Sequence, residues 1–189
     1  MKHQGWRYRL IAGLLRQGAV IGYPTEGVWG LGCVPEDQQA VARLLSLKAR
    51  PWQKGLIMVA SSIDQVLPYI ERLAPTEIEE LDKAWPGPIT YLLPLSKATP
   101  VWISGEHSTV AIRVSAHPVI QNICSELGRP IVSTSANVTG KPPALNRLRL
   151  KQYFADQLDY VVPGNLGGQN GPSEIRDLRG ANIVRRGDL

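Results

Sequence analysis

Apolar positions along this chain follow two alternating rhythms. Short apolar runs recur at Ala19-Val20-Ile21, Leu56–Ala60, Ile89–Leu93, Val110–Val114, Pro130–Val132 and Tyr160–Val162. Each is bounded by Gly, Pro or polar residues and has the length of a buried strand. Between them, apolar residues recur at three- and four-residue spacing, the period of a helix with one buried face. Trp6, Leu10, Ile11, Leu14 and Leu15 predict a first helix within Met1–Gly18. Val41, Leu44, Leu45 and Leu47 predict a second over Asp37–Lys48. It must stop near Pro51, because the residue before a proline is steered out of the helical region. Ser62 with Gln65, and Thr76 with the acidic residues after it, have the form of capping boxes. They predict a short helix toward Tyr69 and another whose Glu77, Glu79, Glu80 and Asp82 form a solvated face. His117–Leu127 predicts a helix stopped by Gly128, and Asn146–Phe154 one more. Trp85–Pro88 reads as a rigid turn, Gly164–Pro172 as a flexible loop, and 173–178 and 183–186 as two closing strands. Strands alternating with helices over the whole length predict an α/β fold, one domain over 1–189.

The totals narrow the partners. A chain of 189 residues is most simply one domain, and 43% hydrophobic content is too much for a disordered one. No apolar run approaches the ~20 residues that span a bilayer. The basic, apolar start lacks the continuous apolar segment and small-residue cleavage site of a secretory signal. Cys33 and Cys124 stand in unrelated segments with no CxxC pair, so both read as small buried hydrophobes in a reducing cytoplasm. His3, His107 and His117 share no metal-ligand spacing, and no protein-held metal is expected. A formal charge of +5 points to anionic partners: nucleotides, phosphates or RNA.

Four stretches carry candidate chemistry. Ile21 to Cys33 runs from a strand through Pro24 into a glycine-rich loop with Thr25 and Glu26 at its mouth. Glycine lets a ligand approach with no Cβ in the way, although a tight turn after a strand fits the same residues. Lys48, Arg50 and Lys54 sit at a helix end and loop, where they can converge on one anion or simply complement the helix dipole. Arg113 is a lone cation in an apolar strand and must meet water or an anion, since an unpaired buried charge is costly. Ser133, Thr134, Ser135 and Asn137 offer hydroxyl and amide groups at a strand end.

Common nucleotide signatures are absent: there is no GxxxxGK[ST] loop, and Gly27, Gly30 and Gly32 do not follow the dinucleotide order. Instead YPTEGVWGLG, LKARPWQKGLI, WPGPIT, AIRV, IVSTSAN and NGPSEIRD, in this order, resemble the YrdC/TsaC family of threonylcarbamoyl-AMP synthases. The resemblance runs from about Ala19 to Gly187, and in length the chain is similar to the short bacterial form. It implies a YrdC-like domain, a twisted mixed β-sheet flanked by helices with a basic concave cleft. It implies that L-threonine, bicarbonate and ATP give L-threonylcarbamoyl-AMP and pyrophosphate, with Mg²⁺ bridging the phosphates. The product would serve threonylcarbamoyladenosine in tRNA, beside the anticodon, through the partner proteins TsaB, TsaD and TsaE, with weak RNA contact and no membrane. The catalytic positions implied are Lys48, Arg50, Ser135 and Asn137. Lys54, Pro143 and Arg185 join them around ATP, and Thr25, Gly27, Arg113, Ser133 and Ser173 match the threonine site. Three positions depart from the family's pattern: Gly27 stands for a common threonine, Val59 for a histidine and Lys54 for an asparagine. The alternative is a non-catalytic RNA-binding or ribosome/tRNA assembly factor, although RNP aromatics, a GXXG loop and zinc knuckles are missing.

Overall fold

The structure, a computed structural model, describes residues 2–169, 171–180 and 182–187. Met1, the far end of the first predicted helix, and Asn170, inside the predicted glycine-rich loop, lie outside the described residues. Nine strands among those described form one mixed sheet in the order β7-β1-β2-β6-β3-β5-β4-β8-β9. They are β1 Ile21–Pro24, β2 Trp29–Gly32, β3 Ile57–Ala60, β4 Ile89–Pro94, β5 Thr109–Val114, β6 Ile131–Ser135, β7 Tyr160–Val161, β8 Glu174–Asp177 and β9 Ile183–Arg185. Three pairs are parallel (β1 with β7, β3 with β5, β4 with β8) and the other five are antiparallel. The helices are α1 Lys2–Arg16, α2 Gln38–Lys48, α3 Pro75–Ala84, α4 Val101–Ser104, α5 Pro118–Leu127 and α6 Arg147–Phe154.

Strand alternation sends side chains to two faces, and the two faces are covered differently. Met58, Ala60, Tyr91, Leu93, Val110, Ile112, Val114 and Val132 point into one core with Val41, Leu44 and Leu45 of α2 and Leu81 of α3. On the opposite face α1 and α5 pack over Ile21, Tyr23, Val59 and Ile131. That second cover reaches only part of the sheet. Leu92, Thr109, Ala111 and Arg113 share its face but line an open cleft.

Several expectations shift. Helix α1 buries Tyr8, Ile11, Ala12 and Leu15, while Trp6 is 67% exposed and Leu10 39%. Two overlapping stripes at helical spacing were available, and α5 packs against the one carrying Ile11 and Leu15. The short helix after Ser62 is 3-10 rather than α: Pro68 limits the segment to two turns, Ile63–Gln65 and Leu67–Tyr69, Ser62 makes no side-chain cap, and Gln65 Oε1 accepts the Ser61 N–H at 3.0 Å. Helix α3 begins at Pro75, ahead of Thr76, because proline is preset for the first helical position. Its Glu77 accepts the Ala74 N–H at 2.7 Å. The solvated acidic face is partly spent, with Glu77 on Arg179 at 2.8 Å and Glu80 on the Tyr91 hydroxyl at 2.9 Å.

Candidate active site

The uncovered part of the sheet is the floor of a cleft of about 360 Å³. Ile57, Leu92 and Ala111 make the floor apolar. The walls come from the β1–β2 turn (Thr25, Gly27), the loop after α2 (Arg50, Lys54), β6 (Ser133, Ser135) and the last strands (Ser173, Arg185). A volume of this order suits a small-molecule ligand.

The end of α2 sets the cationic side. Asp37 caps its start by accepting the Ala40 N–H at 3.0 Å. At its end Ala49 turns left-handed, with φ 48° and ψ 47°, and the Arg50 N–H closes back on Leu45 O at 3.0 Å. An alanine there is strained, a feature concentrated at functional sites. The reversal gives Lys48 and Arg50 separate tasks. Buried Lys48 turns inward, and its Nζ donates to Ser135 O, to Asn137 O at 2.8 Å and to Asn137 Oδ1 at 3.2 Å. Burial first, then the Arg50 charge, pulls its pKa down to about 8. Arg50 turns to the cleft wall and donates from Nη2 to Gly55 O at 2.9 Å, leaving a buried Nε without a partner among the described residues. Burial also lowers its pKa.

Lys48, Ser135 and Asn137 therefore come together as a clamp rather than as a row of ligand donors. Asn137 Oδ1 accepts from both Lys48 and Ser135 Oγ, the latter at 2.6 Å, and Nδ2 donates to Lys141 O at 2.7 Å. Of this clamp only Ser135 lines the cleft. Its hydroxyl proton is committed to Asn137, so it faces the cleft as an acceptor until it rotates. Pro143 is half-buried and, like Lys48 and Asn137, off the cleft wall.

On the other side, buried Arg113 Nη2 lies 3.1 Å from Glu26 Oε2, and among the described residues neither that oxygen nor Arg113 Nε has a hydrogen-bond partner. Arg185 donates to Ser173 O from Nη2 at 2.7 Å and from Nε at 3.2 Å. Partial burial and then the nearby Arg113 lower its pKa. The Ser173 hydroxyl pairs with Thr90 Oγ1 at 2.9 Å, and Thr25 Oγ1 donates to Val28 O at 2.7 Å. The glycine-rich loop lies across the β1–β2 turn, with Gly167 N donating to Thr25 O and Gln169 N to Glu26 O, both at 3.0 Å. A Cβ on Gly27 would stand 2.0 Å from Gly171 O, so no side chain fits there with the loop in place. Val59 is fully buried beneath the helices and off the cleft wall.

A family model described as "Telomere recombination", for Sua5, YciO and YrdC, matches residues 13–187. The chain belongs to the Sua5/YciO/YrdC family. A threonylcarbamoyl-AMP synthase of Stutzerimonas stutzeri is 48% identical over 180 residues, covering 95% of this chain and 97% of that one. One of Pseudomonas syringae is 49% identical over 182 residues, covering 96% and 98%. Among solved structures, P. abyssi Sua5 complexed with L-threonine superposes with a TM-score of 0.91 at 31% identity, covering 98% of this chain and 55% of that one.

In this family member the cleft also recruits residues that sequence reasoning passed over as site residues. Ser104, His107 and Thr109 line its mouth between α4 and β5. His107 was visible only as a histidine without metal spacing. The partner of Arg113 was findable in principle, because Glu26 is the one charged residue between Ile21 and Cys33.

Proposed function

We propose that this protein is a threonylcarbamoyl-AMP synthase, joining L-threonine and bicarbonate to the adenylyl group of ATP with release of pyrophosphate. One observation carries the reading. Among the described residues, Arg50, Lys54 and Arg185 line one cleft and none is paired with a carboxylate. Cations kept together without counter-ions attract a polyanion of matching size. The names of the two relatives and the threonine bound by P. abyssi Sua5 support that choice. They favour it over a non-catalytic RNA-binding role.

The chemistry suits such a cleft. The threonine amine takes up bicarbonate with loss of water, giving an N-carboxy anion. That carboxylate attacks the α-phosphorus, and pyrophosphate leaves. Anions must approach one another throughout, so positioning and neutralisation carry the rate. One cation about 4 Å from a phosphate oxygen contributes roughly 4 kcal/mol at an effective dielectric near 20. In this reading Arg50, Lys54 and Arg185 face the triphosphate. Arg113, with Thr25, Gly27, Ser133 and Ser173 on the same cleft wall, receives the amino acid. Lys48 and Asn137 act by fixing the turn that presents Ser135.

No group of three or more His, Cys, Asp or Glu among the described residues could hold a metal ion. In this reading Mg²⁺ enters on the triphosphate, as part of the substrate. Transfer of the product to tRNA by TsaB, TsaD and TsaE in the cytoplasm completes the proposal. Among the described residues no helix is long and apolar enough to cross a membrane.

The test is pyrophosphate release from ATP, with L-threonine and bicarbonate each supplied and withheld. Release that needs both is expected. Release indifferent to threonine, or none beside salt-sensitive RNA binding, would overturn the reading.

A further inference from the structure

The amino-acid end of the cleft is backed by a buried polar chain that the reaction above does not use. Glu26, Ser115 and His117 are all buried, at 8%, 0% and 6% exposure. Glu26 Oε2 lies 3.1 Å from Arg113 Nη2, and its Oε1 accepts from Ser115 Oγ at 2.5 Å. Ser115 Oγ in turn accepts the backbone N–H of His117 at 3.1 Å, which commits its own proton to Glu26. The His117 ring closes the chain. Its Nδ1 accepts the Val119 N–H at the start of α5 at 3.3 Å, so the ring proton sits on Nε2 and donates to Asn165 O at 3.1 Å. Glu26 itself does not reach the cleft wall, whereas Arg113 does.

We propose that Glu26 is a positioning residue for amino-acid binding: Ser115, itself held by the His117 N–H, holds its carboxylate, and the carboxylate holds Arg113. The inference rests on the reading above, in which Arg113 receives the carboxylate of L-threonine. A guanidinium is a rigid planar fork, so holding one of its nitrogens sets the direction of the others. Glu26 Oε2 holds Nη2 by charge at 3.1 Å without a hydrogen bond between them, and Arg113 still lines the cleft. Charge points the same way. Arg185 lies close enough to Arg113 to feel its charge. Glu26 cancels one of these two charges, which leaves this end of the cleft matched to a single carboxylate rather than to a dianion. Because Gln169 N also donates to Glu26 O, the same residue ties the glycine-rich loop to the arginine.

Steady-state pyrophosphate release and calorimetric L-threonine binding, compared among the wild type, Glu26→Gln, Glu26→Asp and Ser115→Ala, test this. Glu26→Gln keeps the shape and drops the charge, so the threonine KM should rise about 10- to 100-fold, as expected when a binding group is misplaced. The ATP KM should stay within about twofold, since uniform loosening is the only route by which both would move. Glu26→Asp, which restores the charge one methylene short, should recover part of the threonine affinity. Ser115→Ala removes one of two restraints and should give a smaller change of the same kind, a readout that stands even if Glu26→Gln fails to fold. Threonine binding unchanged in both variants, or equal rises in the threonine and ATP KM, would overturn the inference alone. A wild type that binds no threonine would overturn the proposed function and take this inference with it.

Discussion

Lys48→Met removes an ammonium and keeps most of the side chain's volume, and its effects on stability and on turnover should separate. Of the three oxygens that Lys48 holds, two keep another donor: Ser135 O accepts from Asn137 N at 3.0 Å, and Asn137 Oδ1 from Ser135 Oγ at 2.6 Å. Asn137 O would be orphaned among the described residues, a loss of about 1–3 kcal/mol. Against this, the ammonium is pulled from 10.5 to about 8 by burial and by Arg50. At 1.36 kcal/mol per pH unit the burial penalty is about 3 kcal/mol, which the variant is spared. The terms nearly cancel, so both proteins should melt within a few degrees of each other at pH 7. They diverge at higher pH. A folded-state pKa below the unfolded one means that the native protein gives up this proton first. Wild-type stability relative to the variant is therefore lowest below pH 8 and rises between pH 8 and 10.5. Between pH 7 and 9.5 the relative gain is about 2 kcal/mol, or roughly 4–8 °C for a chain of this size. Turnover should fall about 10²–10³-fold, because the clamp on the Ser135 turn is gone. Thermal melts at the two pH values, paired with the pyrophosphate assay, read both effects. Parallel shifts in the two melts would refute the linkage, and full turnover in the variant would refute the clamp.

Arg50→Ala should lower turnover about 10²-fold or more while leaving the melting temperature almost unchanged, since the guanidinium serves the cleft wall; near-normal rates would remove it from the mechanism. Ser135→Ala should weaken ATP binding by about 1 kcal/mol in calorimetry without unfolding the protein, and an unaltered affinity would count against a phosphate contact. Gly27→Ala places a Cβ 2.0 Å from Gly171 O and should destabilise the protein by about 1–3 kcal/mol in chemical denaturation as the loop is pushed away. No change would mean that the loop does not rest on this glycine in solution.

What could be read in advance follows from how local each determinant is. Helix α2 was legible almost to the residue, because its cap, its apolar period and the proline beyond it all lie within one stretch. The strands were legible as apolar runs. The buried face of α1 was not, because two stripes compete and only α5 decides between them. At the site, Lys48, Arg50, Ser135 and Asn137 stood out as clustered polar residues, but their directions did not. Whether Arg50 diverges from Lys48 onto the cleft wall depends on Ala49 adopting a left-handed backbone that alanine disfavours. The ion pair between Glu26 and Arg113 joins residues 87 positions apart, which no local spacing encodes.

Arg185 is carried by a short strand at one edge of the sheet. Strand β9 has three residues, all exposed, and hangs on β8 through a ladder whose register slips between Ile175 and Arg176. Peripheral segments of this kind open at far lower free energy than the interior. A brief peeling of that margin would withdraw Arg185 from its seat on Ser173 while every interior strand stayed paired. Under the proposed function, the polypeptide can thus be otherwise fully assembled while one of its phosphate-facing cations is out of place.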